Sequence, residues 1–237
     1  MSESSVDIHI PLPDGKSLRA ALVLPPGDGP HPGLVVLHEA FGLNRDIRRI
    51  AQRLASQGYA AVAPDLYSHG AKALCLTRVM LDTLAGKAPL ADLEATRAHL
   101  AQIPGVDPTR IGVIGFCQGG GFALALAAQG KVKAASVNYG AVPRHERELA
   151  NVCPVVGSYG RVDSMFAKQG ERLERYLTDL GVPHDVKIYD GVGHSFLSYD
   201  NVPPWLARLP NPLHATYDEA AAEDAWSRIF AFFDEYV

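Results

Sequence analysis

The stretch Arg110-Ile111-Gly112-Val113-Ile114-Gly115-Phe116-Cys117-Gln118-Gly119-Gly120-Gly121, continued by Phe122-Ala123-Leu124-Ala125-Leu126, decides how the chain is read. An apolar run enters a glycine-rich turn and passes directly into a helix-forming segment, the strand, turn, helix order of a nucleophile elbow. The pattern is G-x-S-x-G with cysteine in the serine place, at Cys117. Glycines on both sides permit a strained turn and a close helix approach, so the side chain at 117 projects from the sheet edge. The thiol also stands at a helix N-terminus, whose partial positive charge favours a thiolate. A small cysteine packed into a glycine-rich turn is the plainer alternative. The strand, turn, helix context favours the nucleophile.

On both sides of this elbow, strand-like and helix-like segments alternate, which is the signature of βα units around a mostly parallel sheet. Before it, Val6–Ile10 and Leu18–Leu24 read as a hairpin joined by the turn Pro13-Asp14-Gly15, and Gly33–Leu37 is an apolar run suited to a strand buried on both faces. Further strands are expected at Ala60–Ala63, Ile111–Ile114, Ala134–Asn138, Pro154–Tyr159 and Asp185–Tyr189. Helices are expected at Asp46–Gln57, Leu90–Gln102, Gly120–Ala128, Met165–Leu180 and Glu219–Tyr236. In the Met165 helix, Phe166, Leu173, Tyr176, Leu177 and Leu180 recur at three- and four-residue steps and give one face to press on the sheet. Asn201–Pro212, with four prolines, reads as an ordered excursion in which Trp205 and Leu206 pack as a flap.

Composition sets the outer limits. The 237 residues are 47% hydrophobic and 20% charged, which excludes disorder and a fibre, and one α/β domain over 1–237 is expected. A net charge of −4 without a basic run argues against nucleic acid as a partner. The polar, acidic start is unlike a secretory signal, and the longest near-apolar stretch, Phe122–Ala128, is far too short to cross a bilayer, so no membrane partner is expected. Cys75, Cys117 and Cys153 lie far apart, without metal-ligand spacing, and an odd count suits a reducing cytoplasm better than a disulfide framework.

A thiol needs a base close by, and the chain supplies one in order. His194, within Asp190-Gly191-Val192-Gly193-His194-Ser195-Phe196, follows a strand and lies where parallel sheets place their sites. Asp163 also follows a strand, although as a residue just before a helix it reads equally as a cap. Nucleophile, acid and base in the order Cys117, Asp163, His194 is the order of α/β-hydrolases.

The combination of HEAFG at 38–42, GFCQGG at 115–120, the Asp163 loop, GHSF at 193–196 and YDEAAAEDAW at 217–226 resembles the dienelactone hydrolase (carboxymethylenebutenolidase) family over nearly the whole chain. The resemblance implies an α/β-hydrolase sheet of about eight strands, one of them antiparallel, with helices on both faces, a Cys, Asp, His triad and neither cofactor nor metal. It also implies that Glu39 sits beside the cysteine and helps control its ionisation, where position alone would allow a solvated loop carboxylate. The N–H groups of Ala40 and Gln118 then form the oxyanion hole. One departure stands out. Family members hold the substrate carboxylate with arginines, one of them four residues after the histidine, and here that place is Ser198; Arg78 is a loosely aligned candidate for the other.

Phe41, Tyr67, Tyr139, Phe196 and Trp205 are candidate substrate contacts as a group, each equally readable as a core aromatic. The expected activity is hydrolysis of small lactones, enol esters or activated esters through an acyl-thiol. A thiol redox sensor using Cys117, with Cys75 or Cys153 approaching in space, is the alternative from another class. A metallohydrolase built on His38, Glu39 and His69 matches no standard zinc spacing.

Overall fold

The period-two alternation of apolar residues in the central strands puts one set on each face of a sheet, and the computed structural model shows both faces covered. It describes residues 5–68, 77, 87–199, 211 and 213–237. The strands are β1 (Val6–Pro11), β2 (Ser17–Val23), β3 (His31–Leu37), β4 (Ala60–Pro64), β5 (Val106–Phe116), β6 (Ala135–Asn138), β7 (Val155–Gly160) and β8 (His184–Tyr189). They form one sheet in the order β1-β2-β4-β3-β5-β6-β7-β8. β2 pairs antiparallel with both β1 and β4, and every other pairing is parallel, so among the described strands β2 alone runs against the rest. This is the α/β-hydrolase sheet that the sequence suggested.

The helices among the described residues are α1 (Arg45–Ser56), α2 (Leu90–Leu100), α3 (Gln118–Ala127), α4 (Ala167–Asp179) and α5 (Glu219–Tyr236). α1 and α5 cover one face, where Ile47, Ile50, Leu54, Trp226, Ile229 and Phe233 meet Leu34, Val36, Ile114 and Phe116 of the sheet. On the other face Leu93, Leu100, Phe122, Leu126, Leu173 and Leu177 from α2, α3 and α4 meet Val35, Leu37, Val113 and Val137. Each such side chain contributes about 1.5–3 kcal/mol on full burial, which makes the sheet a rigid base for the loops at its edge. α1 and α5 are also capped, by the side chains of Asn44 and Asp218, which accept from the N–H groups of Ile47 and Ala221 at 3.0 and 2.9 Å.

Several boundaries differ from expectation for identifiable reasons. β5 runs from Val106, not Ile111, because His31 pairs with Val106 beyond an irregularity before Gly33 and draws Asp107–Arg110 into the strand. α3 starts at Gln118, not Gly120, because the elbow leads straight into helix. α4 starts at Ala167, not Met165, because Asp163 turns the chain first. A short 3₁₀ helix at Glu146–Leu149 was not anticipated. No helix among the described residues is long and apolar enough to cross a membrane. Of the expected proline-rich excursion only Asn211 is among the described residues, and Trp205, Arg78, Cys75 and His69 lie outside them.

Candidate active site

The C-terminal ends of β3, β5, β7 and β8 bring the predicted residues to one edge of the sheet. Cys117 follows β5 with φ 54° and ψ −117°, a backbone conformation that costs a non-glycine residue about 1–3 kcal/mol. Local hydrogen bonds hold it there: the Cys117 N–H donates to Asn138 O at 3.0 Å, and its carbonyl accepts from the N–H groups of Gly120 and Gly121 at 3.0 and 3.3 Å. The glycines are needed for close approach. A Cβ on Gly119 would overlap the carbonyl oxygens of Leu37 and His38, so the start of α3 is pressed against the end of β3.

Asp163 makes the contacts of both readings that the sequence left open. Its Oδ1 accepts from the N–H groups of Met165 and Phe166 at 3.0 and 3.1 Å, the cap, while its Oδ2 lies 2.5 Å from His194 Nδ1. One carboxylate therefore ends a turn with one oxygen and orients an imidazole with the other. The His194 ring is clamped between Tyr139 and Phe166, each at 4.9 Å between centroids. Its backbone is tied to the later chain by bonds from the His194 N–H to Leu213 O and from the Thr216 N–H to His194 O.

His194 Nε2 is buried and makes no conventional hydrogen bond, and the Cys117 sulfur lies near enough to act on its ionisation. Burial by itself lowers the His194 pKa, but hydrogen bonding to Asp163 and the hydrogen-bonding and charge influence of Cys117 outweigh it. The net effect pushes the pKa from 6.5 up to about 10. The imidazolium is thus favoured, the form that pairs with a thiolate and can give a proton to a leaving oxygen.

Glu39, immediately after β3, is 3% exposed and accepts from Ser198 Oγ at 2.9 Å. It is therefore a buried carboxylate, not a solvated one. Ala40 adjoins it, and Gln118 opens α3, whose first-turn N–H groups point out of the helix end. The Gln118 side chain accepts from Tyr67 OH at 2.8 Å. His38 Nδ1 donates to Glu39 O at 2.6 Å and Nε2 accepts from the Leu66 N–H at 3.1 Å. With the proton on Nδ1 and the Nε2 lone pair engaged, the ring braces two loops and offers no nitrogen to a metal.

The aromatic group divides. Phe41 is 36% exposed. Tyr139 and Phe196 are fully buried, with rings 5.6 Å apart, and Phe196 also packs on Tyr189, the arrangement of the core-aromatic reading. Tyr67 is 1% exposed, with its hydroxyl bonded to the Gln118 side chain. Sequence reasoning missed two supporting residues. Phe166 clamps His194, although its helical spacing pointed to the core, and Asn138 braces the elbow, where a polar residue ending a buried strand was the available signal.

Chemically, the arrangement provides a thiol on a strained turn, an acid-oriented imidazole, and helix-end N–H groups for a developing oxyanion. A sequence profile of the dienelactone hydrolase family matches residues 18–237. A carboxymethylenebutenolidase of Rhodococcus opacus is 32% identical over 224 residues, which covers 86% of this chain and 81% of that protein. A relative from Synechocystis is 30% identical over 232 residues, covering 90% and 89%. Among solved structures, one from Klebsiella pneumoniae is similar over the full length of both chains with a TM-score of 0.81 and 28% identity. A metagenomic dienelactone hydrolase-like promiscuous phosphotriesterase gives a TM-score of 0.84 at 23% identity over 100% of this chain and 99% of that one, a likeness of fold alone.

Proposed function

Because the chain belongs to the dienelactone hydrolase family, and is accordingly a hydrolase acting on a small-molecule lactone or ester, we propose that Cys117 is its nucleophile and that hydrolysis runs through an acyl-thiol. The observation that carries this reading is the 2.5 Å contact of Asp163 with His194 Nδ1, which leaves Nε2 on the side of Cys117.

In the first half, the Cys117 thiolate attacks the carbonyl carbon and the oxyanion takes hydrogen bonds from the N–H groups of Ala40 and Gln118. The carbon–oxygen bond then breaks, the alkoxide or enolate leaves with the proton held on His194 Nε2, and a thioester remains. In the second half, Nε2 removes a proton from water as it attacks the thioester. The Cys117 thiolate departs, and the acid product carries away the hydroxyl. Asp163 holds the imidazole in the tautomer that keeps Nε2 toward sulfur, and the buried Glu39 carboxylate sets the charge environment of the thiol.

With Ser198 in the place where family resemblance suggested an arginine, we take neutral lactones, enol esters and activated esters as the preferred substrates. Steady-state hydrolysis of cis- and trans-dienelactone, a neutral lactone and p-nitrophenyl acetate, with Cys117→Ala beside the wild type, tests both points. Loss of turnover in the variant and preference for the neutral compounds support the reading. Turnover retained by Cys117→Ala overturns the nucleophile, and a strong dienelactone preference overturns the substrate class and directs attention to Arg78. Among the described residues nothing favours the thiol-sensor alternative: Cys153 is desolvated and its pKa pushed up to about 12, which makes it a poor attacking thiol.

A further inference from the structure

Ser198 and Tyr139 are buried at the site without a part in the steps above, yet they are joined to it. Ser198 Oγ donates its one proton to Glu39 Oε1, so the 3.1 Å contact between Ser198 Oγ and Tyr139 OH runs the other way, with the phenol donating to the serine. We propose that Tyr139 and Ser198 are positioning residues for the hydrolysis, a chain of two hydroxyls that orients the Glu39 carboxylate at the elbow and keeps it ionised. The inference rests on the proposed role of this site and adds to it the device that sets Glu39.

Burial gives such a device a physical reason. Glu39, Ser198 and Tyr139 are 3%, 2% and 0% exposed, and a carboxylate removed from water stays ionised only where donors replace its hydration. The chain also begins at a fixed point. Tyr139 has φ 42°, its N–H donates to Ser158 O at 2.7 Å, and its ring is packed by Phe116, Phe196 and His194. Burial first, and then the charge of Glu39, raise the Tyr139 pKa well above its ordinary value, so the phenol stays a donor throughout the working range. The other ionisable groups gathered here are Cys117 from the elbow, Asp46 from α1, which acts on Tyr139, and His194 from the loop after β8.

The test is a carbon-13 NMR titration of the Glu39 carboxyl, assigned with Glu39→Gln, in the wild type, Ser198→Ala and Tyr139→Phe, together with kcat and KM for p-nitrophenyl acetate. Removing the serine donor is expected to raise the Glu39 titration midpoint by about one pH unit and to lower kcat roughly tenfold, with KM within about twofold. Tyr139→Phe, which keeps the ring against His194, is expected to act in the same direction by less. An unmoved Glu39 midpoint in both variants overturns the relay, as does unchanged kcat in both. Because the titration needs no turnover, it decides the relay even where Cys117→Ala overturns the proposed mechanism.

Discussion

Replacing Asp163 by asparagine separates two tasks that one carboxylate performs. In the wild type Oδ1 caps the N–H groups of Met165 and Phe166 and Oδ2 faces His194 Nδ1. The asparagine oxygen keeps the cap, which leaves the NH₂ group toward Nδ1, where two donors cannot face each other. The imidazole must then accept at Nδ1 and carry its proton on Nε2, the wrong tautomer for receiving a proton from thiol or water. A tautomer error of this kind costs about 10⁴ in kcat in serine hydrolases, and a loss of the same order is expected here. With the carboxylate gone, the raising influence of Asp163 is lost while desolvation and the opposing influence of Cys117 remain, so the His194 pKa falls below about 10. Asp163→Ala should be equally inactive, and less stable than Asp163→Asn by about 1 kcal/mol because it also loses the cap. The assays are steady-state hydrolysis of p-nitrophenyl acetate, NMR titration of the His194 ring and urea denaturation. A folded Asp163→Asn enzyme within tenfold of wild-type activity, or with His194 still titrating near 10, would refute this reasoning.

Further consequences are open to direct measurement. Because the folded-state pKa of His194 lies above the unfolded value, the native protein binds the extra proton between them. That contribution is complete below pH 6.5 while Asp163 is ionised and is lost as pH rises through about 10; the urea-midpoint difference between wild type and His194→Gln should therefore shrink from pH 6.5 to pH 10, and a constant gap counts against the ion pair. Gly119→Ala drives a Cβ into the carbonyl oxygens of Leu37 and His38, and should cost about 2–3 kcal/mol, a fall of roughly 5–10 °C in Tm; an unchanged melting curve would contradict the close packing of α3 on β3. The Cys153 thiol, with its pKa pushed up to about 12, should resist iodoacetamide at pH 8 in the native protein and react after denaturation. Peptide mapping by mass spectrometry reads the difference, and rapid native labelling of Cys153 would count against its desolvation.

Much of this architecture was legible because the signals are local. Apolar runs such as Gly33–Leu37, with neighbouring residues facing opposite cores, mark strands covered on both sides, and the glycines around Cys117 mark a turn that few other residues permit. The spacing of Cys117, Asp163 and His194 was readable because each follows a strand of a parallel sheet, whose strand ends share one edge. What escaped depends on side-chain direction across the chain. Tyr139 and Phe196 read equally as substrate contacts or core aromatics, and only their burial in the fold separates the two; the bond from Ser198 to Glu39 joins residues 159 positions apart. Asp163 could not be read as either cap or partner of His194 from sequence, because the two contacts use different oxygens of the same group.

The nucleophile is tested most directly by acid-quenching the enzyme during turnover of p-nitrophenyl acetate and locating the acetyl group by peptide mass spectrometry. The account predicts a transient acetyl thioester on Cys117, which accumulates when His194 is replaced by glutamine and does not form in Cys117→Ala. An acetyl group on another residue, or undiminished turnover by Cys117→Ala, would contradict it.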